Sequence, residues 1–171
     1  MTFTLGAPPS KRVTVILLLV VLFFWVPGFA AVLAAKACYN PKFEVAKNLR
    51  YCNFAIGATR VSVWRWVDVH KASRLYMERG ILLANAGDDE GAREDMRRAL
   101  DMASFGEPQV MMQKLVETSE TGWRGRVSWL GDLVLRVQRP DVSPAAQKVW
   151  AEVWDAAAQG AETKKAAPVG G

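Results

Sequence analysis

Residues 72–104 read ASRLYMERGILLANAGDDEGAREDMRRALDMAS, and the spacing inside this run decides the fold class. Leu75, Leu82, Leu83 and Ala86 recur at helical intervals in a stretch of good helix formers that begins near Lys71 and is stopped by Gly87-Asp88. Asp88 is a favoured N-cap residue, and behind it Ala92, Met96, Ala99, Leu100 and Ala103 repeat on one face as far as Ser104. Two helices joined by so short a turn pack antiparallel. Asp88, Asp89, Glu90, Glu94 and Asp95 crowd the start of the second helix, where negative charge is favourable, so a helix start accounts for them without an acidic binding site.

Upstream, FEVAKNLRYCNFAIGA from Phe43 to Ala58 places Val45, Leu49, Cys52 and Ile56 on one face of a helix. Thr59 to Val69 alternates Val61, Val63, Trp64 and Trp66 like a strand, but no second strand candidate exists to pair with it, so it is expected as a loop with packed tryptophans. Its interleaved Trp and Arg also suit a membrane interface. Downstream, Pro108 starts a helix through Val110, Met111, Lys114 and Leu115 to about Thr118. Gly122 to Val137 puts Val127, Leu130, Val134 and Val137 on one face, weakened by Gly125 and Gly131. Ser143 as N-cap and Pro144 at the first position announce a last helix with Ala146, Val149, Trp150, Val153, Trp154 and Ala157 as its apolar stripe. The expected class is all-α.

The run 72–104 resembles one tetratricopeptide repeat, a helix-turn-helix unit of 34 residues. The residues that carry the resemblance are Tyr76 at the aromatic position, Gly80 where the helices approach, Leu83 one turn on, Gly87-Asp88 at the turn, Ala92 and Ala99 on the second helix and Leu100 after it, with Met96 filling space in the pair where such units often carry an aromatic residue. Arg79 stands where such units usually carry an apolar residue. Tyr51 to Ile56 is similar to the second helix of a preceding repeat, with Ala55 and Ile56 matching Ala99 and Leu100 across a connection that bulges at Thr59 to Val69. The resemblance implies a short helical array whose first helices line a concave surface, with Tyr76, Arg79 and Leu83 as candidates to contact a partner peptide. The Trp150 and Trp154 stripe either caps the stack or docks a partner, and capping is the expected role.

Ahead of this domain, VTVILLLVVLFFWVPGFAAVLAA from Val13 to Ala35 carries no charge; as a helix its 23 residues extend about 34 Å, enough to cross a bilayer core of about 30 Å. Pro27-Gly28 is expected as a tolerated kink. The alternative is a cleaved signal peptide, with Lys11-Arg12 as its basic start and Ala35-Lys36-Ala37 as its cleavage site, although a signal's apolar core is usually about 7 to 15 residues long. Lys36, Lys42, Lys47 and Arg50 outnumber Lys11 and Arg12 across the segment, which by the positive-inside rule alone keeps the domain in the cytoplasm. The resemblance argues the reverse: exported bacterial tetratricopeptide proteins commonly carry a cysteine in this helix and another shortly upstream, as Cys38 and Cys52 stand here. The domain is therefore expected on the periplasmic, extracytoplasmic side of the inner membrane. There the two cysteines read as one disulfide contributing about 3 kcal/mol; two unpaired thiols, one buried like a small apolar residue, are the other reading.

The expected organisation is a basic flank at 1–12, an anchor at 13–35, tetratricopeptide-like helices at 36–104, additional helices capping the array at 105–159 and a disordered tail at 160–171. Of 22 basic residues two precede the apolar segment and 20 follow it against 17 acidic ones, a balance too slight and too dispersed for nucleic acid. His70 is the only histidine, so no histidine pair can bind a metal, and packing or capping is its expected role rather than a lone catalytic base. No glycine-rich phosphate loop follows a strand, and no cofactor or small-molecule substrate is expected. The expectation is a non-catalytic, membrane-anchored scaffold or accessory subunit that binds another, membrane-associated protein. The alternative is a small subunit whose anchor packs against a larger membrane complex, through Phe23, Phe24, Trp25 and the Pro27-Gly28 kink, with the helical domain as an external cap.

Overall fold

The turn between the two helices of the central pair closes as a Schellman cap. Gly87 takes a φ of 85°, a left-handed conformation that glycine adopts without steric cost, and the Asp88 N–H then donates to the Leu83 carbonyl at 2.9 Å. Asp88 in turn caps the next helix, its carboxylate accepting from the Gly91 N–H at 3.0 Å. The helices on either side are α3 (Val69–Asn85) and α4 (Asp89–Ser104), and before them come α1 (Lys11–Cys38) and α2 (Val45–Val61). After them come α5 (Pro108–Glu117), α6 (Val127–Val137) and α7 (Pro144–Lys165). The computed structural model describes residues 11–40, 42–61, 69–118, 124–125 and 127–165, with the side chains at 11, 23–25, 27–28, 60–61, 69 and 160–165 left outside the description. Seven helices and no strand lie among the described residues.

At Gly80 α3 and α4 lie in close contact. A Cβ there would stand 2.9 Å from Met96 Cγ and 3.2 Å from the Ala92 carbonyl oxygen, so only a hydrogen fits. Ala92, Met96, Ala99, Leu100 and Ala103 form the facing stripe of α4, and Leu75, Met77, Ile81 and Ala84 answer from α3, all in one core. Tyr76 is buried with them, whereas Leu83 is half-buried at the edge. The last helix closes the core. Ser143 caps α7, its hydroxyl accepting from the Ala146 N–H at 3.2 Å and donating to Asn85 at the end of α3, and Ala146, Val149, Trp150 and Val153 then cover α3 and α4.

At the other side of the pair, Cys38 and Cys52 form a disulfide that joins the end of α1 to α2 with their Cα atoms 4.9 Å apart. The buried face of α2 is Asn48, Cys52, Ala55 and Ile56; Val45, expected on it, is exposed, because the helix starts beyond the end of α1. Asn48 donates to the Asn40 carbonyl at 3.0 Å and so ties α2 to the turn that precedes it. Ala31, Ala34 and Cys38 of α1 are buried, so the body already begins at Ala31, four residues before the expected end of the anchor at Ala35. The helix of α7 likewise continues through Lys165, past the expected start of a tail at residue 160. The Trp64 and Trp66 stretch, residues 122–123 of the helix expected from Gly122, and the end of the tail at 166–171 lie outside the described residues, as do the side chains of Phe23, Phe24, Trp25 and Pro27; Gly125 takes a φ of 60°, and that helix begins only at Val127.

The cross-links between helices set a common up-and-down order. Arg79 of α3 bonds to Asn53 of α2 and to Asp95 of α4, so these three helices stand level at their middles, and the short connections in sequence from α2 to α3 and from α3 to α4 make level neighbours alternate in direction. From Cys52 to Val61 α2 runs nine residues, and nine residues back along the antiparallel α1 reach Phe29. The remainder of α1 therefore projects from the end of the body at which α2 finishes, α3 starts and α4 finishes.

Because a side chain at position 80 meets both a side chain and a backbone oxygen, Gly80→Val is expected to destabilise the domain by about 2 kcal/mol, the middle of the overpacking range. Thermal denaturation followed by circular dichroism checks it; an unchanged midpoint would remove the close approach from the account of the fold.

Candidate functional site

Three features of the described chain carry more than packing. The first is the projecting part of α1. From Val13 to Leu22 its apolar side chains are between 45% and 60% exposed on every side of the helix, and Val26 and Phe29 continue the exposure. A helix that is apolar all round is ordinarily enclosed, by a core or by lipid, because water around it costs free energy over its whole surface. Among the described residues no helix is long and apolar enough to cross a membrane. The longest described runs of α1 side chains, 12–22 and 29–38, are each shorter than a crossing requires.

The second feature is a buried ionic cluster between α3 and α6. Glu78 lies on the apolar stripe of α3 and accepts from Arg136, and from Arg139 in a forked pair at 2.7 and 2.9 Å. Arg136 also donates to Asp132 at 2.9 Å, one turn earlier on α6. Arg74 lies 3.1 Å from the same Asp132, near enough for attraction, but its Nε–H is not aligned for a hydrogen bond. The Arg136 guanidinium sits 5.4 Å from the Tyr39 ring centroid, and burial, opposed by Arg136, pushes the Tyr39 hydroxyl up to about 12. Each carboxylate here is matched by a guanidinium, so none is left to act as a base or to hold a cation. The cluster fastens α6 and the turn after α1 to α3. Likewise Asp95, buried on α4, holds Arg79 by two bonds, with Asn53 completing the guanidinium.

The third is an aromatic group at the projecting end. The rings of His70 and Trp129 stack at 5.0 Å and 25°, and Phe105 meets Trp129 at 5.2 Å. Phe105 ends α4 at a φ of 57°, unusual for a residue with a side chain, and the Gly106 N–H closes this cap on the Asp101 carbonyl at 2.9 Å. Burial first, and then Arg74, lower the pKa of His70, and its Nδ1 is buried without a hydrogen-bond partner among the described residues. It packs as a neutral ring.

The structure thus separates the residues expected to meet a partner. Tyr76 and Trp150 are only 7% and 8% exposed and belong to the core, where contact with a partner would require repacking. Trp154 is half-buried with its ring 5.6 Å from that of Trp150, so the pair forms part of the lid over α3 and α4. Arg79, whose bonds to Asp95 and Asn53 occupy its guanidinium, stands 5.5 Å over the Tyr76 ring. What the sequence reading missed is the Glu78 cluster. Its signal was present, since a carboxylate between Leu75 and Leu82 on an apolar stripe needs a cationic partner, but nothing local says which arginine supplies it. Among the described residues no group of His, Cys, Asp and Glu is placed to hold a metal ion. Compared with family models, with curated proteins and with solved structures, the chain matches none of them.

Removing the charge of Glu78 leaves the guanidinium groups of Arg136, at the end of α6, and Arg139, just beyond it, without their shared carboxylate. Glu78→Gln is expected to cost about 3 kcal/mol, at the low end for a broken buried pair because Arg139 is one-third exposed to solvent. Glu78→Leu combined with Arg136→Leu should regain part of that loss, and denaturant titration of the three proteins measures both. For His70, a folded pKa below the unfolded value of about 6.5 means that the unfolded chain binds more protons as the medium acidifies. Its contribution is whole above about pH 6.5 and is lost as pH falls through the folded value. His70→Phe, which keeps the stack on Trp129, should flatten the fall in stability between about pH 7 and pH 5; an identical slope in both proteins would contradict the assignment.

Proposed function

We propose that this chain is a non-catalytic, membrane-anchored helical scaffold or accessory subunit, with α1 as its single membrane span and the body outside the cytoplasm. The observation that carries the reading is α1 itself. Its charge-free part ahead of the body, Val13 to Ala30, is about 27 Å long as a helix and exposes apolar side chains all round wherever these are described, a surface that suits lipid better than water. The disulfide between Cys38 and Cys52 supports an oxidising compartment for the body. Removal of α1 as a signal peptide, by a cut after Ala37, would take away Ala31 and Ala34 from the packed surface, which favours an uncleaved anchor.

The helix pair α3 and α4 supports a tetratricopeptide-like body, through the close approach at Gly80 and the capped turn at Gly87. A protein is the proposed partner, because that is what the resemblance of this helix pair to a tetratricopeptide unit implies. The exposed α1 favours a second reading, in which that helix rather than the body makes the partner contact inside the membrane.

Replacing Val13 to Ala30 by an unrelated apolar span, with Ala31 onward kept so that the body folds, separates the two. Carbonate extraction of cell membranes should leave the protein and this variant in the pellet at full mass; release into the supernatant, or loss of the mass of α1, would end the anchor reading. Affinity purification from detergent should recover the same neighbour with both proteins if the body binds it, and should lose it with the variant if α1 does.

A further inference from the structure

The end of the body from which α1 projects carries its own apolar and aromatic surface. Phe105, at the end of α4, and Val110, in the first turn of α5, are 43% and 45% exposed, and Trp129 is half-buried beside Phe105. They belong to one end for a reason of topology. α3 begins there, and its His70 stacks on Trp129 at the start of α6, while Phe105 reaches the same Trp129 from the finish of α4. Gln109, next to Val110, is held to this end by its bond to the Ala157 carbonyl, 2.7 Å away and more than half-way along α7 from the Ser143 cap. At the opposite end, the turn at Ala86 to Asp89 and the Ser143 cap are built from Asn85, Gly87, Asp88 and Ser143. Val45 at the start of α2 and Val116 at the finish of α5 are exposed away from Phe105, but both are aliphatic, and among the described residues no exposed aromatic ring stands with them at that end.

The geometry points to this end, Phe105, Val110 and the edge of Trp129, as a surface that rests on the bilayer interface around α1. The inference is built upon the anchor reading, since it is α1 that brings lipid to this end. Three features of the structure fix lipid as the occupant. Ala31, at which α1 enters the body, is buried, so there is no linker to hold the body away from the bilayer in which Val13 to Ala30 would lie. The side chains are aromatic and aliphatic, with one indole, a mixture suited to the boundary between acyl chains and headgroups. Among the described residues the neighbouring exposed charges include Lys71, Asp101, Glu107, Lys114 and Arg124, which are of both signs, so contact relies on apolar insertion rather than on anionic lipid.

The full chain suits a test by thiol labelling, because its two cysteines are both in the disulfide. Leu18→Cys, Glu107→Cys, Val110→Cys and Ala86→Cys are each labelled with an environment-sensitive fluorophore and reconstituted into phosphatidylcholine vesicles holding nitroxide lipids at headgroup or mid-chain depth. The expected result is quenching of the Leu18→Cys label by mid-chain nitroxide, of the Glu107→Cys and Val110→Cys labels by headgroup nitroxide, and of the Ala86→Cys label by neither. Added salt should leave the pattern unchanged. If the Leu18→Cys label is quenched while those at Glu107→Cys and Val110→Cys behave like that at Ala86→Cys, the anchor stands and the resting surface is overturned. If the Leu18→Cys label is not quenched at any depth, the anchor reading falls and the surface falls with it. Quenching at Val110→Cys that requires anionic lipid would overturn the apolar basis of the contact.

Discussion

A helix with apolar side chains on all sides keeps a fixed direction relative to a folded body only if something holds it there, and here the Cys38–Cys52 bond and the burial of Ala34 hold it. The small residues on that face of α1 let α2 lie close, and the disulfide pins the two at the level where the core begins. Without this joint α1 would be a tether. With it, α1 and the body share one frame, and the end of the body from which α1 emerges is set by the register of α1 against α2.

The remaining helices are added to that frame by different forces at different places. Between α3 and α4 the determinant is shape, a glycine against a methionine and a carbonyl. Between α3 and α6 it is charge, with Glu78 drawing Arg136 and Arg139 into a partly dry space where a missing partner is more costly than the pair is favourable. Between α3, α4 and α7 it is apolar cover. The ionic contacts therefore specify which helix lies against which, while most of the stabilisation comes from the apolar stripes.

Where the determinant is local, the sequence discloses it. Gly87 before Asp88, and Ser143 before Pro144, name a helix end and a helix start, because capping is decided within four residues. The two stripes of α3 and α4 are legible for the same reason, and Gly80 stands among them as the residue with no side chain to place. What depends on distant pairing is not legible. Arg79 reads as a groove residue until Asp95 and Asn53 are seen to occupy it, and nothing around Arg136, 58 residues away, connects it with Glu78. Tyr76 and Trp150 carry two readings in the sequence because aromatic rings serve both cores and interfaces, and their place in the packed core under α7 comes from helices distant in sequence. The entry of α1 into the body at Ala31 is hidden because alanine suits a membrane span and a helix contact equally.

Because α1 continues without a break into the body, its screw sense becomes a property of the whole molecule. An α-helix turns by about 100° for each residue, so the faces of α1 hold set compass bearings relative to the body. Ala31, Ala34 and Cys38 point inward to α2, and Phe29 and Leu33, both more than half exposed, point elsewhere. Whatever meets Phe29 and Leu33 therefore meets the body in one heading only. The number of residues between the exposed part of α1 and the disulfide sets that heading, much as the thread of a screw sets which way its head faces when it is driven home.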